Sequence, residues 1–360
     1  MALRVQGVIV VVRGRLLLVV CFSTVALLLT ACGLATGGGA DDQVTLRLGH
    51  QWPGVNEAGE GDFRAVLAQR FADRVNERTD GQVTIEVYPG NSLIEDPTQQ
   101  YEAIRRGAQD MSVFPLDYAS GDVPEFSITL MPAMVRSHAQ ARNWQDAEIG
   151  QRIEEITQEN GVKILTWVWN AGAIGCKREE PVVSPDDVRP GMVTRAAGPR
   201  VEQMLERVGF GLSSMPSSEI YSAMQTGVLD CAITSTSSFS SYRLYEQVGS
   251  YTSPTGGYTF WFMFEPLIIG MDQFEQLTPE QQQIFEEVGA ELQEFAYTAS
   301  EDDDLRVEKE FEEAGVNVVQ MDEESFGQWQ EESRPVWESF AEEVEGGREL
   351  IDLASQVSAQ

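Results

Sequence analysis

The stretch from Thr278 to Ala314 sets the scale of the fold. Thr278-Pro279-Glu280-Gln281 reads as a capping box with proline at the first helical position, and nothing stops the pattern before Gly315. At 1.5 Å per residue such a helix runs for roughly 50 Å, more than the width of one domain. It is either a surface helix or a strut laid across two domains.

The rest of the chain offers two bodies for it to bridge. Val44 to His50 alternates as a first strand. Asp62 can cap the helix that follows, in which Phe63, Val66, Leu67, Phe71 and Val75 recur at helical spacing and which Thr79-Asp80-Gly81 ends. Val83, Ile85 and Val87 form a strand, Asp96 and Pro97 start a second helix, and Met111 to Phe114 is a short apolar strand. This order predicts an α/β domain with a mostly parallel sheet. A helix from about Ser137 to Asn160 leads to the strand Val162 to Trp169, which leaves that domain. A second α/β unit follows, with strands at Val193, Gly211 to Met215 and Val228 to Ile233, and helices from Pro199 and from Ser217 or Ser218. Tyr258 to Ile269 is an apolar strand returning to the first domain, broken at Pro266 where it bends, and Glu323 to Glu343 is a last acidic helix. The expected division is 44–169 with 258–298 for one domain and 170–257 with 299–360 for the other.

The amino terminus reads as an export signal. Arg4, Arg13 and Arg15 precede an apolar run from Leu16 to Leu29, too short to span a bilayer comfortably. Leu29-Thr30-Ala31-Cys32 resembles the lipobox of bacterial lipoproteins, which makes 1–31 the signal peptide, Cys32 the lipidated residue and 32–43 a flexible tether. The alternatives are an ordinary signal peptide or an anchor helix. A net charge of −32 repels nucleic acid and anionic headgroups, which argues against those partners. Cys176 and Cys231 are, in an exported protein, either a disulfide or two buried thiols.

The residues of ordinary enzyme chemistry are scarce. There are two histidines, His50 and His138, and no HExxH, GxSxG, Walker A or paired CxxC motif. Gly209-Phe210-Gly211 lacks the third glycine of a dinucleotide fingerprint, and Asp302-Asp303-Asp304 lacks a calcium-loop pattern and reads as a solvated helix face. No cofactor or metal is expected. The feature left is Gly191-Met192-Val193-Thr194-Arg195, an apolar strand that ends on arginine before a Gly-Pro turn. Open α/β sheets bind ligands beyond the carboxyl ends of their strands, and an arginine there can fork onto a carboxylate. The competing reading is a surface arginine paired with Glu202 or Glu219.

Four ordered segments carry a resemblance. Thr79-Asp80-Gly81-Gln82-Val83-Thr84-Ile85-Glu86-Val87-Tyr88-Pro89 and Tyr101-Glu102-Ala103-Ile104-Arg105-Arg106-Gly107-Ala108-Gln109-Asp110-Met111 resemble early signatures of the DctP-type solute-binding proteins of TRAP transporters. Pro185-Asp186-Asp187-Val188-Arg189-Pro190-Gly191-Met192-Val193-Thr194-Arg195 is similar to the segment ending in that family's carboxylate-binding arginine. Met215-Pro216-Ser217-Ser218-Glu219-Ile220-Tyr221-Ser222-Ala223-Met224-Gln225-Thr226-Gly227-Val228-Leu229-Asp230 matches most closely. The resemblance implies a two-domain, periplasmic-binding-protein-like (Venus flytrap) α/β fold with a long helix bridging both domains. It also implies a non-enzymatic extracytoplasmic receptor whose cleft closes on a small organic acid. Its partners would be the acid and the small and large TRAP membrane subunits, with the lipid at Cys32 holding it to the membrane.

Carried over by position, Arg195 is the carboxylate clamp, Thr234 and Ser235 fall among pocket residues, Ser217 stands where phenylalanine is common, and Phe114 ends a cleft-facing strand. Asn170 to Gly175 lacks a second arginine that many relatives bear, which points to a monocarboxylate held by one cation in a hydroxyl-rich pocket. Trp52, Trp169 and Trp261 are cleft walls or domain core. Two other classes remain: a binding protein for an ABC importer or sensor, separable by whether TRAP subunit genes lie beside it, and an exported enzyme, separable by turnover of a bound acid.

Overall fold

A computed structural model describes residues 43–358, so the signal segment, Cys32 and the tether lie outside the described residues. The chain begins with β1 (Val44–Gly49), α1 (Phe63–Arg78), β2 (Val83–Tyr88), α2 (Gln100–Arg105) and β3 (Met111–Val113). It continues through α3 (His138–Asp146), α4 (Glu148–Glu159), β4 (Val162–Thr166), β5 (Trp169–Cys176) and β6 (Val193–Arg195). Next come α5 (Pro199–Arg207), β7 (Gly211–Leu212), α6 (Ile220–Gln225), β8 (Cys231–Ser235), α7 (Thr236–Ser241), β9 (Ser250–Ser253), β10 (Phe262–Phe264) and β11 (Leu267–Gly270). The last elements are α8 (Met271–Gln276), α9 (Pro279–Glu313), β12 (Asn317–Gln320), α10 (Glu323–Glu343) and α11 (Gly347–Ser355).

Two sheets organise these elements. The first has five strands in the order β2-β1-β3-β11-β4, and the second runs β12-β9-β5-β8-β6-β7, with β10 added on β5. In the first sheet β1 is parallel to β2 and β3, and β11 is antiparallel to both its neighbours. In the second, β6 is parallel to β7 and β8, and β5 is antiparallel to β8 and β9. The antiparallel strand in each sheet is thus the one that has just arrived from the other lobe.

The crossings are sharper than the sequence pattern suggests. The expected strand Val162 to Trp169 is two strands, because the chain leaves the first sheet at Thr166 and enters the second at Trp169. The return is likewise split around Glu265-Pro266. Phe262–Phe264 pairs with β5, and Leu267 to Ile269 then pairs with β3, so the chain rejoins the first sheet at Pro266 rather than at Tyr258. Proline lacks the N–H that a continuous ladder needs, which places the break there. The expected helix from Ser137 to Asn160 is also interrupted, at Ala147, whose φ −86° and ψ 167° are extended.

The long helix is a strut. Thr278 accepts from the Gln281 N–H, and the Gln281 side chain accepts from the Thr278 N–H, so the capping box forms. Its first half buries Phe285, Val288, Leu292 and Ala296 in the core of the first sheet, and its second half buries Val307 and Phe311 in the core of the second. It passes so close to β4 that a Cβ on Gly289 would stand 2.2 Å from the Leu165 carbonyl oxygen. Thr166 Oγ1 donates to the Gly289 carbonyl at 3.1 Å across that contact. A third apolar cluster, from Phe114 through Trp169 and Trp261 to Trp329 and Phe340, runs continuously through the crossing region into the carboxyl-terminal helices. Cys176 and Cys231, opposite one another on β5 and β8, are joined by a disulfide at the end of the second sheet remote from the crossings. Among the described residues no helix is long and apolar enough to cross a membrane.

Candidate functional site

Arg195 ends β6, where Arg195 lies beside Ala232 of β8. Its residue surface is 1% exposed. The Nε–H donates to the Met215 carbonyl at 2.9 Å, an Nη1–H to the Ile233 carbonyl at 3.0 Å, and an Nη2–H to the Tyr118 hydroxyl at 3.2 Å. A guanidinium has five N–H donors, so two are left over. No carboxylate among the described residues forms an ion pair with it; Glu202, one acid the sequence offered, accepts from Ser214 instead. A buried cation held only by neutral acceptors is costly to maintain, and an arriving anion relieves that cost.

The groups facing Arg195 come from the first lobe. Tyr118 follows β3, and its hydroxyl also accepts from the Ser217 N–H at 3.3 Å. Ser217 Oγ donates to Gln51 Oε1 at 3.2 Å, and the Tyr242 hydroxyl donates to the Gln51 carbonyl at 3.1 Å. These bonds join the loops after β1 and β3 to the second lobe, so the cleft is closed. Beside them a cavity of about 390 Å³ is lined by Asp117, Tyr118, Ala197, Gly198, Met215 and Glu219, among others. Asp117 is 2% exposed and neither of its carboxylate oxygens has a hydrogen-bond partner. Burial, then the charge of Glu202, pushes its pKa up to about 8, against the pull of Arg195.

A second buried arginine crosses the same interface. Arg64, in the first turn of α1, donates from Nε and Nη2 to Asp62 at 2.8 and 2.7 Å and from Nη1 to Glu265 at 3.0 and 2.8 Å. It also donates to Ser235 Oγ at 3.0 Å and Ser238 Oγ at 3.2 Å, and it stacks 3.9 Å over the Trp52 ring. Burial alone would raise the Asp62 pKa, but the adjoining guanidinium and its hydrogen bonds hold it below the usual range. At Glu265 burial prevails and the shift is upward. Burial lowers the pKa of His50, stacked beside Trp52, to about 4.

The sequence-predicted residues therefore divide. Arg195 and Ser217 meet around Tyr118, whose ring packs edge-on against Phe114; Phe114 itself is core, stacked on Tyr101. Trp52 and Ser235 lie on Arg64 instead. Thr234 is buried opposite Ala173, and strand alternation turns its side chain away from that of Ser235. Trp169 packs with Trp144, Phe262 and Phe264, and Trp261 lies against Gly172, so both are domain core at the crossing. Arg64 is a second buried arginine at the interface, but two carboxylates occupy it. The expected solvated face at Asp302-Asp303-Asp304 is corrected. Asp303 and Asp304 are buried, and Asp304 takes Thr236 Oγ1 at 2.5 Å and His138 Nε2 at 2.7 Å. Among the described residues no group of three or more His, Cys, Asp or Glu could hold a metal ion.

Sequence reasoning missed Arg64, Asp117, Tyr118 and Glu265. Two carried a signal: Arg64 interrupts the apolar start of α1, and Glu265 interrupts the apolar run from Tyr258 to Ile269. A charge inside an apolar run needs a buried partner.

Two α/β lobes, strands that cross between them, a strut helix and an uncompensated arginine in the closed cleft are the architecture of a two-lobed solute receptor. The chain belongs to the DctP family, the bacterial extracellular solute-binding proteins of family 7, whose model matches residues 55–343. It is 39% identical over 312 residues to a solute-binding protein of Albidiferax ferrireducens, covering 86% of this chain and 91% of the relative. It also matches the crystal structure of a TRAP periplasmic solute-binding protein from Rhodoferax ferrireducens with bound malonate. There the TM-score is 0.83 at 38% identity, covering 87% of this chain and 98% of that one. A TRAP periplasmic solute-binding protein from Sulfitobacter shares the fold with a TM-score of 0.77 at 23% identity, covering 86% and 99% of the two chains.

Proposed function

We propose that this receptor binds a small organic acid with one carboxylate on Arg195, buries it by lobe closure, and delivers it to the small and large membrane subunits of a TRAP permease. The observation that carries this reading is the buried guanidinium of Arg195, which has spare donors and no counter-ion. The malonate held by the Rhodoferax ferrireducens relative supports a carboxylate ligand. A single carboxylate fits better here, because Arg64 is already engaged by Asp62 and Glu265 and the cavity wall bears Glu202 and Glu219, so a second ligand carboxylate would meet acid.

Ser217 lines the closing face with Arg195, whereas Ser235 and Trp52 support the pocket through Arg64, Thr234 supports it from the opposite face of β8, and Phe114 backs Tyr118. The lobes divide at the crossings, with 44–166 and 267–298 in the first. Cys32 carries the lipid that keeps the receptor at the outer face of the cell membrane; its position at the end of the apolar leader supports this. A thermal-shift screen over organic acids and their amides tests the ligand class, since a ligand at 100 times its Kd stabilises by about 2.7 kcal/mol. Acids are expected to raise the melting temperature and amides to leave it unchanged. Stabilisation by amides or neutral sugars alone would refute the reading.

A further inference from the structure

Asp117 has no place in the reading so far. It is a carboxylate in a pocket meant for carboxylates, and both its oxygens are buried without a partner. It stands at the meeting of the two lobes. Gly198, three residues past Arg195 with φ +86°, comes so close that a Cβ there would lie 2.4 Å from Asp117 Oδ2. Any side chain at residue 198 would therefore strike the carboxylate, besides being strained at that φ. Tyr118, the next residue, already touches Arg195. The charges of Asp117 and Arg195 influence one another, yet they do not close into an ion pair. Nearby Glu202 disfavours a second anion on this wall, and Asp117 and Glu202 both line the cavity of about 390 Å³.

We propose that Asp117 is the specificity anchor of the cleft. It accepts a hydrogen bond from a hydroxyl or ammonium group that the ligand bears next to the carboxylate held by Arg195. The ligand class is then a 2-hydroxy or 2-amino monocarboxylic acid rather than an unsubstituted acid or a dicarboxylate. A donor satisfies an oxygen that is otherwise buried and orphaned, whereas an alkyl group leaves it so, and a second carboxylate would face Glu202 on the same wall. This inference rests on the assignment of Arg195 as the carboxylate clamp.

The test is calorimetric titration of the mature protein with 2-hydroxy, 2-amino, 2-methoxy and unsubstituted acids of equal chain length, and with malonate. It is repeated with Asp117→Asn and Arg195→Ala after melting curves confirm that both variants fold. The wild type is expected to prefer the hydroxy or amino acid over the methoxy and unsubstituted acids by at least about tenfold. Which of the two substituted acids binds more tightly identifies the donor. Asp117→Asn should change that preference at least about fivefold, and Arg195→Ala should weaken every acid. Equal binding of substituted and unsubstituted acids, or tighter binding of malonate, overturns the role of Asp117 while leaving the clamp intact. Loss of affinity in neither variant overturns both. Because the wild-type series needs no variant, misfolding of Asp117→Asn does not protect the proposal.

Discussion

Arg64 and Arg195 are equally buried and both lie where the lobes meet, but their surroundings oppose one another. Arg64 is enclosed by Asp62 and Glu265, two serine hydroxyls and the face of Trp52, so its donors and its charge are used up within the fold. Arg195 has two backbone carbonyls and a phenol, and its charge is uncancelled. One arginine fastens the lobes together; the other holds charge in reserve for something absent from the chain. Counting buried arginines does not locate a binding site, whereas counting their counter-ions does.

The largest expected effect falls on the arginine that binds nothing. Arg64→Met keeps the volume but leaves Asp62 and Glu265 buried without their cation, which should cost about 3–5 kcal/mol of stability in urea unfolding. A loss below 1 kcal/mol would erase the contrast from the Arg64 side. Arg195→Ala should weaken the best acid by about 1.5–3 kcal/mol, roughly tenfold or more, with a much smaller effect on stability than Arg64→Met.

Titration sharpens the comparison further. Asp117, on the Arg195 side, keeps its proton in the folded protein up to a pH of about 8, whereas the unfolded chain loses it near the ordinary value of about 3.9. Its contribution is present below that value and is lost as pH rises from about 4 to 8. His50, on the Arg64 side, stays neutral down to about 4, whereas the unfolded imidazole protonates near 6.5, so its contribution is lost as pH falls from about 6.5 to 4. The two slopes oppose each other between about pH 4 and 6.5, and only that of Asp117 persists from about 6.5 to 8. Urea unfolding across pH should show Asp117→Asn flattening the upper window, by about 1.4 kcal/mol per pH unit at most, and His50→Gln flattening the lower one. The smallest effect belongs to Ser217→Ala, which loses one interlobe hydrogen bond to Gln51 and should weaken binding a few-fold, by about 0.5–1 kcal/mol, without changing which acid is preferred.

The parts of this molecule that were legible in sequence are those fixed by local chemistry. The capping box at Thr278 and Gln281, the N-cap at Asp62 and the break at Pro266 each act within a few residues, and each stands where the pattern puts it. Arg195 was legible as a strand-end arginine because β6 and its turn are local too. Arg64 was not, because Glu265, which explains it, lies 201 residues away, and only the crossing at Pro266 brings it there. Asp117 and Tyr118 follow an ordinary Phe-Pro turn, and nothing local says that Gly198 will close against one and Arg195 against the other. The break at Ala147 and the final helix Gly347–Ser355 escaped for a related reason, since both are set by packing among helices.

The most direct test is a paired calorimetric titration of wild type and Arg195→Ala with the organic acid that most raises the melting temperature. The account predicts an affinity at least about tenfold weaker in the variant, with a melting temperature within a few degrees of wild type. Equal affinity in the two proteins would contradict it, because the charge left uncompensated in the cleft would then not be the one the ligand uses.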